Sequence, residues 1–267
     1  MNASIPRDQL PNRRFFLTGT PPESLPATVS LTDAHSVAHA RTVLRMQVGN
    51  PVIAVDPETR SGYRATIIGL GKTALVLELI EKLALPPDTT PAGWLGVAMV
   101  KEQRWDWLLQ KATELGMGRL TPLATERTIV HVGDPAKKQE RWQAIAQAAA
   151  GQSEGLFIPP VDLPNTLTDF LDQTQAVPCR WLLQEDGEDR IPLHRAISQL
   201  GRSALVPVSA IQWSALIGPE GGWTAPERQQ IIAAGFTPVA LGKRILKTET
   251  AVMALLSAVM LSANYSS

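Results

Sequence analysis

Trp213-Ser-Ala-Leu-Ile-Gly-Pro-Glu-Gly-Gly-Trp-Thr-Ala-Pro-Glu-Arg228 runs from a strand through a glycine loop into a helix. It opens with Trp213 to Ile217, a short apolar run of the buried-strand type. It passes through Gly218-Pro-Glu-Gly-Gly222 and enters a helix that ends at Gly235. The helix start carries a capping box: Thr224 can cap, Glu227 can reach back, and Pro226 stands in the first turn, where its missing N–H costs little.

The same strand, loop and helix texture continues on both sides. Upstream, Trp94–Val100, Leu120–Ala124 and Arg180–Leu183 read as strands, and Glu102–Leu115 and Ala136–Gly151 read as helices that stop at glycine. Downstream, Pro238–Leu241 is a short strand and Thr248–Ala263 a strongly apolar helix. Strands alternating with helices predict an α/β domain whose mostly parallel sheet is covered on both faces. Leu85-Pro-Pro-Asp-Thr-Thr-Pro91 precedes this region and reads as a linker. The first third reads as β. Pro51–Asp56, Tyr63–Ile68 and Thr73–Ile80 are strands joined by turns at Pro57–Gly62 and Gly69–Lys72, with a short helix near Asp33–Arg45. Strands at this spacing lead to a small barrel. The expected division is a barrel domain at 1–84 and an α/β domain at 92–267.

Composition excludes several classes. Of 267 residues, 44% are hydrophobic and 19% charged, enough apolar material for a core and too little net charge for a disordered chain. A single cysteine, Cys179, cannot staple a secreted fold. Met1–Leu17 holds no apolar run of signal-peptide length, and no stretch reaches the roughly 20 apolar residues of a membrane span. The expected compartment is the cytoplasm. Net charge is zero, with 25 basic and 25 acidic residues, a balance that argues mildly against a nucleic-acid binder. From Met1 to Lys72, however, Lys and Arg outnumber Asp and Glu, which fits a positive face on that part.

Two loops could carry chemistry. Ile217-Gly-Pro-Glu-Gly-Gly222 follows a strand and precedes a helix N-terminus, where glycines let a ligand approach backbone N–H groups. A tight turn that binds nothing is an equal reading of that loop alone. Leu241-Gly-Lys-Arg-Ile-Leu-Lys-Thr-Glu-Thr-Ala251 also leads from a strand into a helix. Its Ile245 and Leu246 suit a face against a flat, mostly apolar ligand better than a solvated loop. In an open α/β sheet both loops would lie outside the carboxyl ends of the strands, where ligands bind. There is no G-x-G-x-x-G before a helix. Gly71-Lys72-Thr73 has Thr66 where a phosphate loop needs its first glycine. His35, His39, His131, His194 and Cys179 show no zinc spacing, and no metal is expected. No G-x-S-x-G elbow is present.

These two loops resemble the signature loops of the ribosomal small-subunit uridine-N3 methyltransferases, the ribosomal RNA small subunit methyltransferase E family of the knotted SPOUT type. The likeness extends along nearly the whole chain. Lys111-Ala-Thr-Glu-Leu-Gly116, Pro122 and Thr125-Glu-Arg127 match the family's central pattern. Trp142, Gln152-Ser153 and Pro159 match the next one, and Arg14-Phe-Phe16, His39, Val43-Leu-Arg45 and Gly49 match its N-terminal domain. The resemblance implies a small PUA-like β-barrel for RNA contact, followed by an α/β domain whose C-terminal chain threads a trefoil knot. It implies S-adenosylmethionine bound in that knot, a homodimer, and methylation of N3 of a uridine in 16S rRNA. The near-neutral charge predicts that this RNA is met within the assembled subunit. The cofactor residues carried over are Leu183, Gln184 and Glu185; Ile217, Gly218, Pro219, Glu220, Gly221 and Gly222; and Leu241, Gly242, Arg244, Ile245, Leu246 and Thr250. The sequence departs from the family at Lys243, where a proline is usual, and at Lys247, where an arginine is usual. It departs again at Gly151 and Gly155, which replace a glutamate and an arginine.

Methyl transfer to uridine N3 needs alignment of the reacting groups and removal of the N3 proton. Arg244 is the candidate for stabilising the uracil anion, against a role in gripping phosphate or in pairing with Glu249. Glu249 is the candidate proton acceptor, against simple dipole stabilisation in a helix's first turn. Arg13, Arg14, Arg41, Arg45 and Arg127 are the candidate RNA contacts, since arginine suits phosphate and base edges. Trp223 either walls the cofactor pocket or packs. Lys111 and Glu114 read as a structural pair, and His39 as a structural histidine. Two other readings stay open: a knotted methyltransferase acting on another RNA site, and a non-catalytic ribosome-binding factor.

Overall fold

The computed structural model describes residues 11, 13–85, 92–128, 133–187, 189–198, 200 and 211–264. Most of the expected linker, from 86 to 91, and His131 lie outside them. Contacts divide the chain into two compact units, residues 1–88 with 147–158, and residues 89–146 with 159–267.

In the first unit, β1 (Arg14–Phe16), β2 (Ala27–Leu31), β3 (Pro51–Asp56), β4 (Ser61–Leu70) and β5 (Leu75–Leu83) make a sheet in the order β1-β3-β4-β5-β2. β1 runs parallel to β3, and the other pairs are antiparallel. Among the described residues this sheet has two ends, β1 and β2, and is not closed into the small barrel the strand spacing led to. Alternate side chains feed two cores. Phe15, Val52 and Ala54 pack with Leu75 and Leu77 on one face. Phe16, Ile53 and Val55 meet Ala150 and Leu156 on the other. The helix expected near 33–45 is shorter and irregular. Asp33 caps α1 (Ala34–Ala38) by accepting from Ser36 N at 2.8 Å. A π-helical turn, His39–Val43, follows, and Arg45 adopts a left-handed conformation with φ 49°.

The second unit holds β6 (Gly93–Ala98), α2 (Glu102–Glu114), β7 (Arg119–Ala124), most of α3 (Pro135–Gln152), β8 (Asn165–Thr166) and α4 (Leu167–Gln173). It continues through β9 (Cys179–Leu183), β10 (Ile191–Pro192), α5 (Leu193–Ile197), β11 (Trp213–Ile217), α6 (Ala225–Ala233), β12 (Thr237–Ala240) and α7 (Thr248–Asn264). Its seven strands are ordered β10-β12-β9-β11-β6-β7-β8, and every pairing is parallel. The expected α/β architecture with a parallel sheet is therefore the observed one. The two short pairs, β8 with α4 and β10 with α5, are additions that the sequence reading did not include. Their strands have two residues each, too few to show an alternation.

The sheet is buried on both faces because successive strand residues point to opposite sides. Leu95, Trp181, Trp213 and Ala215 pack against α2, α3 and α7 through Trp105, Trp142 and Leu255. Trp94, Leu182 and Leu216 pack against α4 and α6 through Phe170 and Ile231. The Trp181 and Trp213 rings stack at 5.2 Å between centroids. Such stacking leaves no room on β6: a Cβ at Gly93 would lie 2.0 Å from the Trp213 indole.

Candidate active site

Strands β11 and β12 both lie beside β9, so three loops leave the carboxyl ends of adjacent parallel strands. Between them opens a cavity of about 590 Å³, within the size range of small-molecule sites. The loop after β9 lines it with Leu183, Gln184, Glu185 and Asp186. Every residue from Ile217 to Trp223 lines it. The loop after β12 contributes Leu241, Gly242 and Arg244 to Thr248. Of the residues expected at a cofactor, all but one thus share one cavity. Thr250 is exposed on the first turn of α7 and does not line it.

Local chemistry shapes each loop. Gly218–Gly222 turns on a backbone bond from Gly222 N to Pro219 O at 2.9 Å, and Gly222 takes φ 69°, which only glycine adopts freely. A Cβ at Gly218 would lie 2.9 Å from Trp223 Nε1, so Trp223 packs on the loop as well as lining the cavity. The expected capping box is formed: Thr224 accepts from Glu227 N, and Glu227 Oε2 accepts from Thr224 N at 2.9 Å. Thr248 Oγ1 donates to Gly218 O at 2.9 Å and ties the start of α7 to this loop. On the β9 side, Gln184 N donates to Val239 O at 3.1 Å. Arg190 donates from Nε to Gly187 O at 2.7 Å and from Nη1 to Glu185 O, and Arg228 Nε donates to Gln184 Oε1 at 3.2 Å.

The cavity wall is apolar at Leu183, Ile217 and Leu246 and charged at its edge, with Glu185, Asp186 and Glu220 set among Arg104, Arg127, Arg228, Arg244 and Lys247. Arg244 is exposed, and among the described residues no ion pair or hydrogen bond engages its side chain. Glu249 is not on the wall and does not pair with Arg244. Its Oε1 lies 4.0 Å from Arg104 Nε, and its Oε2 is buried with no hydrogen-bond partner among the described residues. The five arginines expected at RNA have different surroundings. Arg13, Arg41 and Arg45 are exposed in the first unit. Arg14 has a side chain 8% exposed and donates to Gly155 O at 3.3 Å beside Glu154. Arg127 lines the cavity and donates from Nη1 to Gly221 O at 2.5 Å. His39 stacks on His35 at 5.8 Å and is not among the residues that line the cavity. Lys111 and Glu114 form the expected pair, Nζ to Oε1 at 2.8 Å. Among the described residues no group of His, Cys, Asp and Glu could hold a metal ion, and no helix is long and apolar enough to cross a membrane.

Arg104 and Arg228 lie on the wall and were not anticipated. Both occur in helices, where a charged residue ordinarily reads as a solvated face, and nothing local marks them.

The family model for the RNA methyltransferase domain matches residues 89–260, so the parallel sheet and its cavity are those of an RNA methyltransferase domain. Ribosomal RNA small subunit methyltransferase E of Synechocystis sp. is 34% identical over 239 residues, 89% of this chain and 74% of that protein. The crystal structure of the Neisseria gonorrhoeae protein of the same name, bound to S-adenosyl methionine, superposes with a TM-score of 0.77 at 29% identity, over 94% of this chain and 97% of that one. A Legionella pneumophila methyltransferase in complex with SAM gives a TM-score of 0.80 at 25% identity, over 95% and 98%. The chain belongs to the ribosomal RNA small subunit methyltransferase E family.

Proposed function

We propose that the chain is an S-adenosylmethionine-dependent methyltransferase that methylates N3 of a specific uridine in 16S rRNA of the small ribosomal subunit, in the cytoplasm. One observation carries the reading: loops from Leu183, Ile217 and Leu241, far apart in sequence, wall one cavity at the carboxyl ends of neighbouring parallel strands. The cavity fits the cofactor. Its volume is adequate, and Leu183, Ile217 and Leu246 offer an apolar wall to an adenine ring. Glu185 and Glu220 suit ribose hydroxyls and a cationic sulfonium end. When bound, S-adenosylmethionine supplies an activated methyl group.

The remaining chemistry belongs to the chain. Uridine N3 is a poor nucleophile while it carries a proton. Arg244, at the cavity and without an ion pair among the described residues, offers its guanidinium to a uracil oxygen and favours the anion. Glu249 was the other candidate. Its contact with Arg104 supports a role in shaping the loop, and Glu249→Gln separates that from proton acceptance through the pH dependence of kcat. RNA contact falls to Arg13, Arg41 and Arg45, exposed around a π-helical turn and a left-handed residue, irregularities frequent at functional sites. A PUA-like architecture for the first unit is supported by its five-stranded mixed sheet. A C-terminal trefoil knot is supported by the insertion of β12, the last strand, between β9 and β10. A homodimer is supported by α7, which has no charged residue from Thr250 to Ser262 yet leaves Leu261 49% exposed.

The test is methyl transfer. Protein and S-adenosylmethionine are incubated with small subunits lacking base methylation, and the rRNA nucleosides are resolved by mass spectrometry. 3-Methyluridine is the expected product. Another methylated nucleoside moves the target to a different RNA site, and no product with no cofactor binding favours a non-catalytic ribosome-binding factor.

A further inference from the structure

Two arginines outside both glycine-bearing loops reach the loop Gly218–Gly222. Arg104, in the first turn of α2, donates from Nη1 to Glu220 Oε1, and its Nε lies 4.0 Å from Glu249 Oε1. It therefore touches a carboxylate from each of the two motif loops. Arg127, in the turn after β7, donates to the Gly221 carbonyl at 2.5 Å. Its stem runs along the same glycine, since a Cβ at 221 would lie 3.4 Å from Arg127 Cδ. The turn is fastened a second time, because Glu227, which caps α6, also accepts from Glu126 N at 2.8 Å.

The loop needs outside support. Gly221 and Gly222 have more conformational freedom to lose on ordering than other residues. Among the described residues, one backbone bond from Gly222 N to Pro219 O and one side-chain tie from Thr248 hold the loop from within, and Glu220 and Gly221 are fixed from outside. Arg104 fixes the side chain of Glu220, and Arg127 fixes the carbonyl of Gly221. Neither contact carries the fold: the Arg104–Glu220 pair is 38% and 57% exposed, and exposed pairs contribute little to stability. Holding a binding loop in its bound shape is a different service, which lowers the cost of ordering it when a ligand arrives.

We propose that Arg104 and Arg127 are positioning residues that together clamp Gly218–Gly222 in its ligand-receiving shape, so that Arg127 acts on the methyl-donor site and not on RNA phosphate. The proposal rests on the reading of that loop as part of the S-adenosylmethionine site. It makes the affinity of one ligand depend on residues that an arginine count would assign to the other.

The experiment uses the full chain as Arg104→Ala, Arg127→Ala and the two lysine variants. Amide hydrogen exchange at Gly218 and Glu220 to Gly222 is followed with nothing added. S-adenosylhomocysteine binding is measured by calorimetry, and rRNA binding is measured across a salt series. The alanine variants are expected to exchange faster in the loop and to bind S-adenosylhomocysteine about tenfold more weakly, the order of the cost of ordering one side chain at a binding site. RNA affinity and its salt slope stay unchanged, and the lysine variants recover part of the loss. Unchanged exchange and thioether affinity overturn the clamp. So does an Arg127→Ala protein whose only defect is weaker RNA binding with a salt slope lower by about one, the signature of a phosphate contact. Circular dichroism confirms folding, and a variant that fails to fold is judged from its lysine counterpart. Should the wild type bind no S-adenosylhomocysteine, the cofactor reading fails, and the exchange comparison still decides the clamp.

Discussion

At the scale of single residues, the cavity and the core make opposite demands on glycine. Gly221 keeps its loop thin at the cavity, whereas Gly93 and Gly218 make room for packed indoles. A methyl group at 93 would meet Trp213 at 2.0 Å in a strand buried on both faces. Gly93→Ala is expected to destabilise the protein by about 1–3 kcal/mol, the usual effect of overpacking, and urea denaturation followed by tryptophan fluorescence reads it. Arg244 makes a contrasting case, exposed and unpaired among the described residues, so its removal should leave stability alone. On the proposed function, Arg244→Ala lowers kcat about 10²-fold, as losing one preorganised electrostatic donor does, with little change in cofactor affinity. Single-turnover methylation separates the two, and a rise in cofactor Kd with unchanged kcat would remove Arg244 from catalysis.

At the scale of elements, the capping box shows local sequence deciding local structure. Thr224-Ala-Pro-Glu227 predicts a helix start, and α6 begins where that pattern places it. Here the cap does double duty, because Glu227 also bonds the turn that carries Arg127. Thr224→Ala should lower stability by about 1 kcal/mol, the ordinary effect of losing an N-cap. It should also loosen the turn at Glu126, visible as faster amide exchange there and not at α2. The helix near 33–45 shows the opposite. The sequence reading expects one short helix there, but α1 ends at Ala38 and passes into a π-helical turn that pairs His35 with His39. Burial, then His35, then Arg13 hold the His39 pKa below the ordinary value of 6.5. A histidine whose pKa is lower in the folded state takes up fewer protons folded than unfolded. Its contribution is therefore complete above 6.5 and is lost as pH falls through 6.5 toward the folded value. Urea midpoints should drop over that window, and His39→Gln should flatten the drop. An unaltered slope would assign it to other groups.

At the scale of the whole molecule, α7 links the site to the proposed assembly. Its first turn ties the glycine loop through Thr248, and its uncharged length carries Leu261 to the surface. On the homodimer reading, Leu261→Lys places a charge in the interface and raises the dissociation constant at least about tenfold, as a buried unpaired charge does. Sedimentation over a concentration series measures it. A variant that dimerises as the wild type does would move the interface elsewhere.

Local residue pattern is enough for the long helices, the parallel α/β class, the family and the two glycine-bearing loops. Each of these is written locally, in the apolar run of Trp213–Ile217, in a Thr–Glu capping spacing, or in a glycine at a loop. Which distant residues meet is settled by the folded chain. It placed β12 between β9 and β10, and assigned residues 147–158 to the first unit. It also brought Arg104 to Glu220 across 116 residues and turned Arg127 toward Gly221. The reason is physical. Periodicity and capping report a residue's neighbours within a turn or two, while a long-range partner is selected by strand order and by the packing of both sheet faces.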